Sequence, residues 1–540
     1  MDEFDFIVVG AGSSGCALAA RLSEDPANRV CLVEAGPEDR SPLIKVPLGV
    51  MRLLDHPKYN WRFKTVPQEH AKGRQIPVPR GKTLGGSSAI NGMIYTRGHP
   101  TDYDDWANRG NPGWSYREVL PYFKRSENNE DFPDSPYHGR GGPLNVTFLD
   151  KYNPLAEIFF QAGESLQHRR NPDFCGATHE GFGRRQVTMK NGRRWSASSA
   201  YLKPALKRPN LTVMSSARVH RVIIEGGRAL GIAVERGGAV ETVRARREVL
   251  LCAGAVGSPH LLMLSGVGDA VELSAHGIEV RKHLPGVGEN WQDHITTAVQ
   301  WESPSDLSYG LTWKTAPSIL WELMTYPLTG RGLLANNILH AGAFIRSLPG
   351  LARPDLQFIL IPAFRDAKGR LGRRHGFAIM PFVLRPVSRG KLSLASADPR
   401  AAPVIDPKFF SAEEDLETLV RGVKLARRLV DTPPFAPHRG PESGPNAGAE
   451  TEQQIREFIR STAYTAYHPV GACSMGPGPM DVVDAELKVH GIEALRVVDT
   501  SAMPTLIGGN TNGPAIMMAE KAADMILGRA PPAPENVPIA

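Results

Sequence analysis

The pattern of apolar and polar positions predicts a parallel sheet to which both ends of this 540-residue chain contribute. Residues 6–9 are a short apolar run rich in β-branched side chains, residues 29–33 are a second apolar run, and residues 16–22 between them are good helix formers. Such runs are typical of strands that are buried on both faces. Residues 248–251 and 495–499 repeat the pattern. We therefore expect one doubly wound α/β sheet.

The middle of the chain has a different pattern. Residues 355–361 and 377–384 alternate in a way that predicts antiparallel strands. Residues 317–334 predict an apolar, aromatic helix that ends at Gly330 and Gly332. Packing of this helix in the core is favoured over an exposed lid that touches a membrane. We assign this section to a second domain built on an antiparallel sheet.

Four further stretches have a recognisable pattern. Residues 42–65 combine prolines with aromatic side chains and indicate an irregular segment that leaves the core of the first domain and covers another part of the molecule. Residues 102–127 carry aromatic side chains at near-helical spacing, which is typical of core packing. Residues 211–224 predict a hairpin or paired strands, and residues 254–268 predict a turn and a helix with Pro259 in its first turn.

The length of the chain exceeds the size at which one hydrophobic core keeps growing, so we expect two closely packed domains. The second domain is expected to be inserted into the first. The boundaries are 1–150, 205–294 and 460–530 for the first domain, 151–204 and 295–459 for the second, and 531–540 for a proline-rich disordered tail.

Composition and charge exclude several classes of protein. A hydrophobic content of 41% and a charged content of 22% are ordinary for a globular protein. The formal net charge is +7, but no long run of Lys and Arg concentrates it, and no nucleic-acid-binding motif accompanies it. We expect a diffusely basic surface without nucleic-acid binding, and weak attraction to an anionic membrane surface stays open.

The cysteines and the N-terminus bear on the compartment. The five cysteines are scattered, and no C-x-x-C pair indicates metal or redox chemistry, so a reducing compartment fits. The N-terminus enters its first strand at once, without a basic segment or a cleavage site, and no run of about 18 apolar residues exists. We expect a cytoplasmic protein, and a peripheral contact with the inner membrane stays open.

Three glycines follow the first predicted strand in the spacing G-x-G-x-x-G, at Gly10, Gly12 and Gly15. Gly10 permits a tight turn, Gly12 lets the backbone approach a pyrophosphate, and Gly15 lets the helix pack closely on the strand. Glu34 ends the second strand, where a carboxylate can accept hydrogen bonds from ribose hydroxyls and disfavours a 2′-phosphate. Together these features indicate dinucleotide binding, with FAD and NAD both open.

Two more glycine-rich segments can contact a bound cofactor. Residues 80–98 contain a small, donor-rich loop whose N–H groups can run along a phosphate or a planar ring, although such a stretch read alone is more often a plain turn. Residues 508–512 stand just before a helix that is predicted to lead on from Pro514. Free N–H groups at that point suit an electron-rich atom, such as a reduced ring or its carbonyl.

Five ordered motifs resemble the glucose–methanol–choline (GMC) oxidoreductases, FAD-dependent enzymes that oxidise alcohols. The motifs are the fingerprint at 10–34, and residues 80–91, 254–268, 468–471 and 508–512. The resemblance covers nearly the whole chain and is strongest to bacterial choline-dehydrogenase-like and aliphatic alcohol dehydrogenases, with polyethylene-glycol dehydrogenases a near alternative. It implies a Rossmann-like FAD-binding domain with an inserted α+β substrate domain built on an antiparallel sheet.

The family pattern also implies a set of site residues. His468 and Asn512 match its catalytic pair, whose second member is His in some relatives and Asn in others. Ala89 and Ile90 occupy the place where some relatives attach FAD to a histidine, so noncovalent FAD is expected. No metal site is expected. The implied cofactor-binding residues are Gly10, Gly12, Ser13, Ser14, Gly15, Glu34, Ala35, Arg80, Gly85, Gly86, Ser87, Asn91, Gly92, Met93, Ile94, Val219, Ala253, Gly254, Asp499, Asn510, Thr511 and Asn512.

The resemblance implies oxidation of an alcohol. The second domain is rich in apolar residues and has no obvious cluster of acids for a quaternary ammonium, which favours an uncharged primary alcohol, aliphatic or polyether, that is oxidised to the aldehyde. His468 would take the hydroxyl proton as a hydride passes to flavin N5, and Asn512 would hold the alcohol oxygen. The electrons would pass to a quinone or another acceptor, neither NAD nor oxygen. Alternatives are an oxygen-using oxidase of aryl or furanic alcohols, a choline dehydrogenase and, more remotely, a flavin-dependent lyase or photodecarboxylase. His99, His260 and His294 are interpreted as structural or surface residues.

Overall fold

A seven-stranded sheet joins the two ends of the chain in a computed structural model that describes residues 3–310, 316–364 and 374–540. Its strands are Glu3–Val9, Val30–Val33, Leu211–Met214, Ala217–Glu225, Arg228–Arg236, Ala239–Leu251 and Leu495–Val497. Leu211–Met214, Val30–Val33, Glu3–Val9, the end of Ala239–Leu251 and Leu495–Val497 are parallel, in that order. Apolar side chains buried on both faces explain why these strands read as continuous apolar runs.

The remaining strands of this sheet correct one prediction. Residues 211–224 do not form a hairpin, because Leu211–Met214 pairs in parallel with Val30–Val33. Ala217–Glu225 pairs instead with Arg228–Arg236, which in turn pairs with Ala239–Leu251. The prediction failed because local apolar alternation does not say which partner a strand will find.

Helices cover the first sheet and bring the two ends of the chain together. Helix Ser13–Leu22 packs against helix Asn512–Leu527, which follows the last strand. A third helix, Gly254–Leu264, follows Ala239–Leu251. It starts at Gly254, so Pro259 lies inside the helix and not in its first turn as predicted. The other helices of eight or more residues are Pro100–Asn108, Tyr116–Ser126, Leu155–Ser165, Ala316–Thr329, Glu413–Val430 and Glu452–Thr462.

A second seven-stranded sheet is antiparallel throughout and confirms the prediction for the middle of the chain. Its strands are Gly181–Arg184, Ile295–Thr296, Val299–Glu302, Ala341–Ile345, Leu356–Ile361, Gly376–Val383 and Tyr464–Thr465. One face packs on helix Glu413–Val430 and forms the second core. Together the two sheets confirm the predicted fold class, a Rossmann-like α/β domain with an inserted domain on an antiparallel sheet.

Short elements complete the fold. Short α-helices span Pro42–Lys45, Val50–Leu53, Lys203–Ala205 and Ala270–Ala275. Two-stranded pairs join Phe63–Lys64 to Pro77–Val78, Glu127–Asn129 to Leu144–Val146, Met189–Lys190 to Arg193–Arg194, Val267–Gly268 to Lys282–His283, and Lys391–Ser393 to Val404–Asp406. The aromatic residues of Pro100–Asn108 and Tyr116–Ser126 are buried, as their spacing predicts.

The helix Ala316–Thr329 is not a core helix, and that prediction is wrong. Leu320, Trp321, Met324 and Leu328 are 57%, 65%, 59% and 91% exposed. Tyr326 is the buried anchor of the helix, and its hydroxyl donates to the backbone oxygen of Gly192 at 3.1 Å. A helix with apolar residues on most faces gives no sequence signal for which face turns inward, because there is no polar stripe to mark the outside.

The C-terminal tail follows a defined path, in contrast to its predicted disorder. It has no regular secondary structure after Leu527, but Glu535 pairs with Lys124 and the Tyr137 hydroxyl donates to the backbone oxygen of Pro538. The Ala540 N–H donates to the backbone of Ala177 at 2.7 Å. Proline-rich composition predicts the absence of helix and strand, but it does not exclude docking.

The exact division into domains stays a proposal. Tyr464–Thr465 pairs within the second sheet, although the sequence places 460–530 in the first domain. No helix among the described residues is both long enough and apolar enough to cross a bilayer.

Candidate active site

A cavity of about 690 Å³ is lined by residues from both sheets. Val9 and Val33 of the first sheet contribute to one wall, and Ile359 and Met380 of the second sheet contribute to another. The predicted site residues that line it are Gly10, Gly12, Ser13, Ser14, Glu34, Ala35, Arg80, Gly86, Ser87, Asn91, Gly92, Met93, Ile94, Val219, Ala253, Gly254, His468, Asp499, Asn510, Thr511 and Asn512. This volume lies within the range of small-molecule and cofactor sites.

Gly15 and Gly85 do not line this cavity, and their predicted contact with the cofactor stays a prediction. A Cβ on Gly15 would lie 1.8 Å from the backbone oxygen of Gly10, so Gly15 lets the helix approach the turn. Gly85 has a φ of +88°, and its N–H donates to Ala11 O at 2.7 Å. Both glycines shape the backbone behind the cavity wall.

Two helices start at the cavity without a capping side chain. Ser13–Leu22 begins after Gly12 and Asn512–Leu527 begins after Thr511, and neither helix has an acidic residue in its first turn. The Ser13 hydroxyl donates to Asn512 Oδ1 at 2.7 Å and ties the two starts together. Free N–H groups and the positive ends of two helix dipoles suit a phosphate anion.

Two glycines leave room for a close approach to the backbone. A Cβ on Gly12 would meet no atom nearer than the backbone oxygen of Cys252 at 3.9 Å, and one on Gly254 would meet none within 4 Å. Since both residues line the cavity, a side chain on either would occupy cavity space. The chain thus offers a dinucleotide an uncrowded backbone as well as N–H donors, so these residues fit FAD.

Glu34 stands at the end of strand Val30–Val33, as predicted. Its carboxylate accepts from the N–H groups of Ala11 at 2.9 Å and Gly36 at 2.8 Å. Burial raises the pKa of Glu34 to about 7, although these two donors oppose the shift. Two carboxylate oxygens have about four acceptor sites, so capacity remains for ribose hydroxyls.

Asp499 lines the cavity, but its carboxylate is used within the protein. It accepts from Gly254 N at 2.9 Å, from the Ser258 hydroxyl at 2.5 Å, and from the N–H and hydroxyl of Ser501. It therefore fixes the start of helix Gly254–Leu264 to the segment after the last parallel strand. The predicted approach of Asp499 to the flavin chain stays a prediction.

A buried arginine that sequence reasoning missed supports the loop at 80–94. Arg194 is 3% exposed and donates to Ile44 O at 2.9 Å and to Asn91 O at 2.7 Å. The loop also contains Met93 in a left-handed conformation, with a φ of +63°. No motif marks Arg194 in the sequence, because its partners, Ile44, Ser88 and Asn91, lie 103 or more residues away along the chain.

His468 lies at the cavity wall and contacts Asn510, not Asn512. Asn510 Nδ2 is 2.9 Å from His468 Nε2. The Asn512 side chain accepts from Ser13, as described above. The side chain that contacts His468 is therefore that of Asn510, not Asn512 as predicted, two residues earlier on the turn before the last helix, and the catalytic role of the pair stays a prediction.

The backbone of His468 is tightly held. Its N–H donates to Asp293 Oδ1 at 2.8 Å, and the preceding residue, Tyr467, has a left-handed φ of +68°. A left-handed tyrosine is uncommon and is maintained only where its surroundings require it. Burial raises the pKa of Asp293 to about 6, against the opposing effects of Thr465 and Arg80.

The imidazole of His468 also contacts a second histidine, which the sequence reading treated as structural. His294 Nδ1 is 3.0 Å from His468 Nδ1, and His294 Nε2 is 3.0 Å from the backbone oxygen of Leu384. Burial lowers the pKa of His468 well below its usual value, and His294, Arg80 and Arg185 lower it further. Burial also lowers the pKa of His294 to about 4. Both rings are therefore neutral near pH 7.

The cavity wall that the second sheet contributes is largely apolar. Ile359 and Ile361 alternate with Leu356, Phe358 and Leu360, which face the second core, and Met380 and Phe382 lie on the neighbouring strand. Because side chains alternate along a strand, one sheet supplies both a core face and a cavity face. Among the described residues that line the cavity, the carboxylates are those of Glu34 and Asp499.

Family models described as GMC oxidoreductase match the chain in two parts, over residues 4–296 and 386–519. An alcohol dehydrogenase [acceptor] from Pseudomonas putida is 44% identical over 97% of this chain and 96% of its own. An oxygen-dependent choline dehydrogenase from Brucella anthropi is 43% identical over 98% of this chain and 96% of its own.

Solved structures of similar proteins cover almost the whole fold. A pyridoxine 4-oxidase from Mesorbium loti has a TM-score of 0.88 at 30% identity and covers 98% of this chain and 100% of its own. An Aspergillus oryzae formate oxidase carrying a mutation (R554A) has a TM-score of 0.91 at 26% identity and covers 98% of both chains.

Proposed function

The chain belongs to the GMC oxidoreductase family, and from this premise we propose that it oxidises an uncharged primary alcohol to the aldehyde. As a member of the family it is an FAD-dependent oxidoreductase that acts on alcohols. We propose further that His468 is the base, that Asn510 holds the alcohol oxygen, and that the final electron acceptor is a quinone or another carrier and not oxygen. The contact of 2.9 Å between Asn510 Nδ2 and His468 Nε2 carries the assignment of these two residues.

The residues around the cavity give each part of the cofactor a partner. The starts of helices Ser13–Leu22 and Asn512–Leu527 would hold the diphosphate, and Glu34 the adenosine ribose. The loop at 80–94 would lie beside the flavin. FAD, when bound, supplies the hydride acceptor of the reaction.

An alcohol oxygen fits between His468 and Asn510. A hydroxyl donates one hydrogen bond and accepts others, so it can donate to His468 Nε2 and accept from Asn510 Nδ2 in place of their direct contact. His468 then takes the hydroxyl proton, and Asn510 stabilises the negative charge that develops on the oxygen. Since His468 is neutral near pH 7, it can act as a base without first losing a proton.

Replacement of His468 tests the base directly. We expect His468→Ala to keep its FAD and to lose alcohol oxidation by about 100-fold or more, since general base catalysis contributes about 10²–10⁴. The FAD absorbance per polypeptide is the control for folding. Turnover near that of the unchanged protein would remove His468 from this role.

The apolar end of the cavity supports an aliphatic or polyether alcohol. Leu339, Ile359, Ile361, Met380 and Phe382 surround this end, and they offer dispersion contacts but no charge. A quaternary ammonium such as choline binds to aromatic rings and is stabilised further by a carboxylate. Aromatic rings do line the cavity, at Trp61, Phe63, Tyr464 and Tyr467, so the carboxylates decide the comparison. Both carboxylates among the described lining residues, Glu34 and Asp499, bind backbone N–H groups elsewhere in the cavity. We therefore favour an uncharged alcohol over choline.

A steady-state screen distinguishes these substrates and acceptors. It compares primary alcohols of increasing chain length, short polyethers and choline, with an artificial quinone-like dye, in air and without oxygen. We expect the highest kcat/KM for an uncharged alcohol and dye reduction that does not need oxygen. A preference for choline, or oxygen consumption as fast as dye reduction, would contradict the respective part of the proposal.

We propose that FAD is bound without a covalent link. Ala89 is buried beside the loop and Ile90 lines the cavity, and neither side chain has an atom that can bond to a flavin. After precipitation with acid, the flavin should appear in the supernatant. Flavin that stays with the protein pellet would contradict this proposal.

We also propose that the exposed helix Ala316–Thr329 rests on an anionic membrane surface. Leu320, Trp321, Met324 and Leu328 recur at helical spacing on its open face. Exposed basic residues lie nearby, since Arg193 adjoins the Gly192 anchor of Tyr326 and Arg331 follows the helix. An apolar helix face flanked by cations is typical of a helix that lies in the plane of a membrane surface.

The position of this helix links a membrane surface to the cavity. Leu333–Ala335, just after the helix, packs against Pro47–Gly49, and the next residue, Val50, lines the cavity. A membrane-bound quinone would therefore reach the enzyme on the side where Val50 lines the cavity.

Vesicles test this contact with a matched control. We expect the protein to sediment with vesicles that contain phosphatidylglycerol, and the double variant Trp321→Ser/Leu328→Ser to lose most of this binding. Val271→Ser, which alters an apolar side chain that is 79% exposed on another helix, should leave binding unchanged. Equal binding by the double variant would rule out the helix, and a dimer seen without vesicles would assign it to a second copy.

A further inference from the structure

A chain of four hydrogen bonds passes through the proposed catalytic pair. One end of the chain is a group that can only donate a hydrogen bond, and the other end is a group that can only accept one. Arg185 Nη2 donates to Asn510 Oδ1 at 3.0 Å, and Asn510 Nδ2 contacts His468 Nε2 at 2.9 Å. His468 Nδ1 contacts His294 Nδ1 at 3.0 Å, and His294 Nε2 contacts Leu384 O at 3.0 Å. A guanidinium can only donate, and a carbonyl oxygen can only accept.

The Arg185 end determines the orientation of Asn510. Because Arg185 can only donate, Asn510 must turn its oxygen towards Arg185 and its NH₂ towards His468. The NH₂ group donates, so His468 Nε2 must carry a lone pair and no proton. The single proton of the neutral His468 ring is then on Nδ1.

The Leu384 end requires the same arrangement independently. The carbonyl of Leu384 needs a proton on His294 Nε2, so Nδ1 of a neutral His294 carries a lone pair. His468 Nδ1 must then donate to it. Both ends therefore leave the same atom, His468 Nε2, free to accept a proton from the cavity side.

Arg185 has no counter-ion among the residues that the structure describes. It is 1% exposed, its Nε and Nη1 have no hydrogen-bond partner there, and its guanidinium lies 5.9 Å from the Phe344 ring. Burial lowers the pKa of Arg185 to about 9, so it still carries its charge near pH 7. A buried unpaired cation is costly to the fold, and among the described residues its one side-chain hydrogen-bond partner is Asn510.

We infer that Arg185 and His294 are positioning residues that fix the direction of this chain and keep His468 Nε2 unprotonated and ready for the substrate proton. The inference rests on the proposed function of His468 and Asn510. If His468 Nε2 carried a proton, it would face the NH₂ of Asn510, and Asn510 could not turn because its oxygen is held by Arg185. The hydrogen bonds of Arg185 and His294 thus disfavour a proton on His468 Nε2 before the substrate binds.

Matched variants separate the direction of the chain from mere packing. Arg185→Lys keeps a donor-only cation, whereas Arg185→Met removes it and frees Asn510 to turn. His294→Gln keeps an acceptor for His468 and a donor for Leu384, whereas His294→Phe keeps a ring and removes both. The FAD content and unfolding temperature of each variant show whether it folds.

The pH profile of kcat/KM is the readout for Arg185. The charged or titratable groups that act on His468 are His294, Arg80, Arg185 and, through the backbone, Asp293. Loss of the Arg185 charge raises the pKa of His468, so the fall in kcat/KM on the acid side should move to higher pH by about one unit in Arg185→Met. It should stay in place in Arg185→Lys. If the fall in kcat/KM on the acid side stayed at the same pH in Arg185→Met, the role of Arg185 would be overturned.

Rescue is the readout for His294. We expect kcat/KM to fall by about 30-fold or more in His294→Phe and to return to within about 3-fold of the unchanged protein in His294→Gln. Equal losses in both variants, or no loss in either, would overturn the role of His294.

A measurement without turnover separates this inference from the proposed function. In protein labelled with ¹⁵N-histidine, the signals of His468, assigned by their loss in His468→Ala, report which ring nitrogen carries the proton. We expect Nδ1 protonated and Nε2 bare in the unchanged protein and in Arg185→Lys, and a mixture in Arg185→Met. A protonated Nε2 in the unchanged protein would overturn the inference, even if alcohols are oxidised. The expected tautomer with no oxidation of any alcohol would instead contradict the proposed function alone.

Discussion

At the residue scale, Asn510 and Asn512 are identical side chains two positions apart, and they bond to opposite parts of the site. Asn510 contacts His468, and Asn512 accepts from Ser13 at the start of the first helix. The turn before helix Asn512–Leu527 sends the two side chains in different directions. Under the proposed function, Asn510 therefore acts on the substrate, whereas Asn512 lies at the helix starts that would hold the cofactor.

Substitution of each asparagine should therefore have a different effect. We expect Asn510→Ala to lower kcat/KM by about 100-fold or more with full FAD content, as for loss of one donor to a developing oxyanion. Asn512→Ala should mainly weaken FAD binding, which a titration of apoprotein with FAD measures. An Asn512→Ala protein that keeps its FAD but is as slow as Asn510→Ala would contradict the assignment.

Glu34 makes the stability of the FAD-free protein depend on pH. Burial raises the pKa of Glu34 from 4.5 to about 7, so the folded state holds a proton that the unfolded state releases between these values. The folded state therefore loses stability relative to a Glu34→Gln variant as the pH rises from about 4.5 to 7. Urea unfolding of both apoproteins at pH 5 and pH 8 measures this.

The difference in the free energy of unfolding between the two apoproteins should grow with pH. Glu34→Gln should be more stable than the unchanged apoprotein at pH 8, with a smaller difference at pH 5, and should bind FAD more weakly at pH 8. A difference in stability that does not change with pH would mean that Glu34 is not buried as a free acid.

At the element scale, Asp102 joins three parts of the molecule that surround the site. It lies in the first turn of helix Pro100–Asn108 and accepts from Arg385 at 2.8 Å and Arg353 at 3.1 Å, both from the second domain proposed above. It also accepts from Gly508 N at 2.7 Å, just before Asn510. Burial would raise the pKa of Asp102, but the two arginines outweigh it, and the pKa is lowered.

Loss of this carboxylate should destabilise the fold. We expect Asp102→Asn to lower the free energy of unfolding by about 3–5 kcal/mol, because it leaves two arginines without their buried partner. Asp105→Asn on the same helix is the control, since Asp105 is 44% exposed and pairs with Arg353 alone, and should change stability by less than about 1 kcal/mol. Denaturant unfolding near pH 7 measures both, and similar effects of the two substitutions would contradict the role of Asp102.

The helix Ala316–Thr329 is exposed, whereas other elements that are equally apolar are buried. Strands Leu356–Ile361 and Gly376–Val383 are as apolar, but they are paired on both sides and covered by helix Glu413–Val430. The helix has Tyr326 as its buried anchor, and the rest of its described apolar face is open. Hydrophobicity alone predicted burial, and only the presence or absence of a covering element decided it.

At the scale of the whole molecule, the C-terminal part of the chain contacts the N-terminal part in two places. The last parallel strand, Leu495–Val497, completes the first sheet, and the tail then lies along the first half of the chain. Val537 packs against the core around the first sheet, and Glu535 pairs with Lys124. The tail thus acts as a clasp on the surface, away from the residues that line the cavity.

Removal of residues 531–540 tests this clasp. We expect a loss of about 1–3 kcal/mol in the free energy of unfolding, since a few hydrogen bonds worth about 1 kcal/mol each are lost. FAD affinity and kcat/KM should not change, because the tail does not line the cavity. Thermal unfolding of both forms measures the loss, and an unchanged unfolding temperature would show that the tail is not docked in solution.

The sequence by itself determined the cofactor half of this protein. The strand at residues 6–9, the glycines at 10, 12 and 15, and the acid at 34 lie within about 30 residues, so their geometry follows from local turns and periodicity. The antiparallel strands around 355–384 were also predictable, because alternation is a local property. The same reasoning could not find Arg194 or Arg185, since their partners lie far along the chain.

Only the tertiary structure decided which groups contact His468. The choice between Asn510 and Asn512 depends on which way a turn presents two identical side chains, and the proposed role of His294 depends on a contact across 174 residues of sequence. The position of helix Ala316–Thr329 depends on what covers it. Local patterns encode backbone shape, whereas hydrogen-bond direction and burial are decided by groups that only the folded chain brings together.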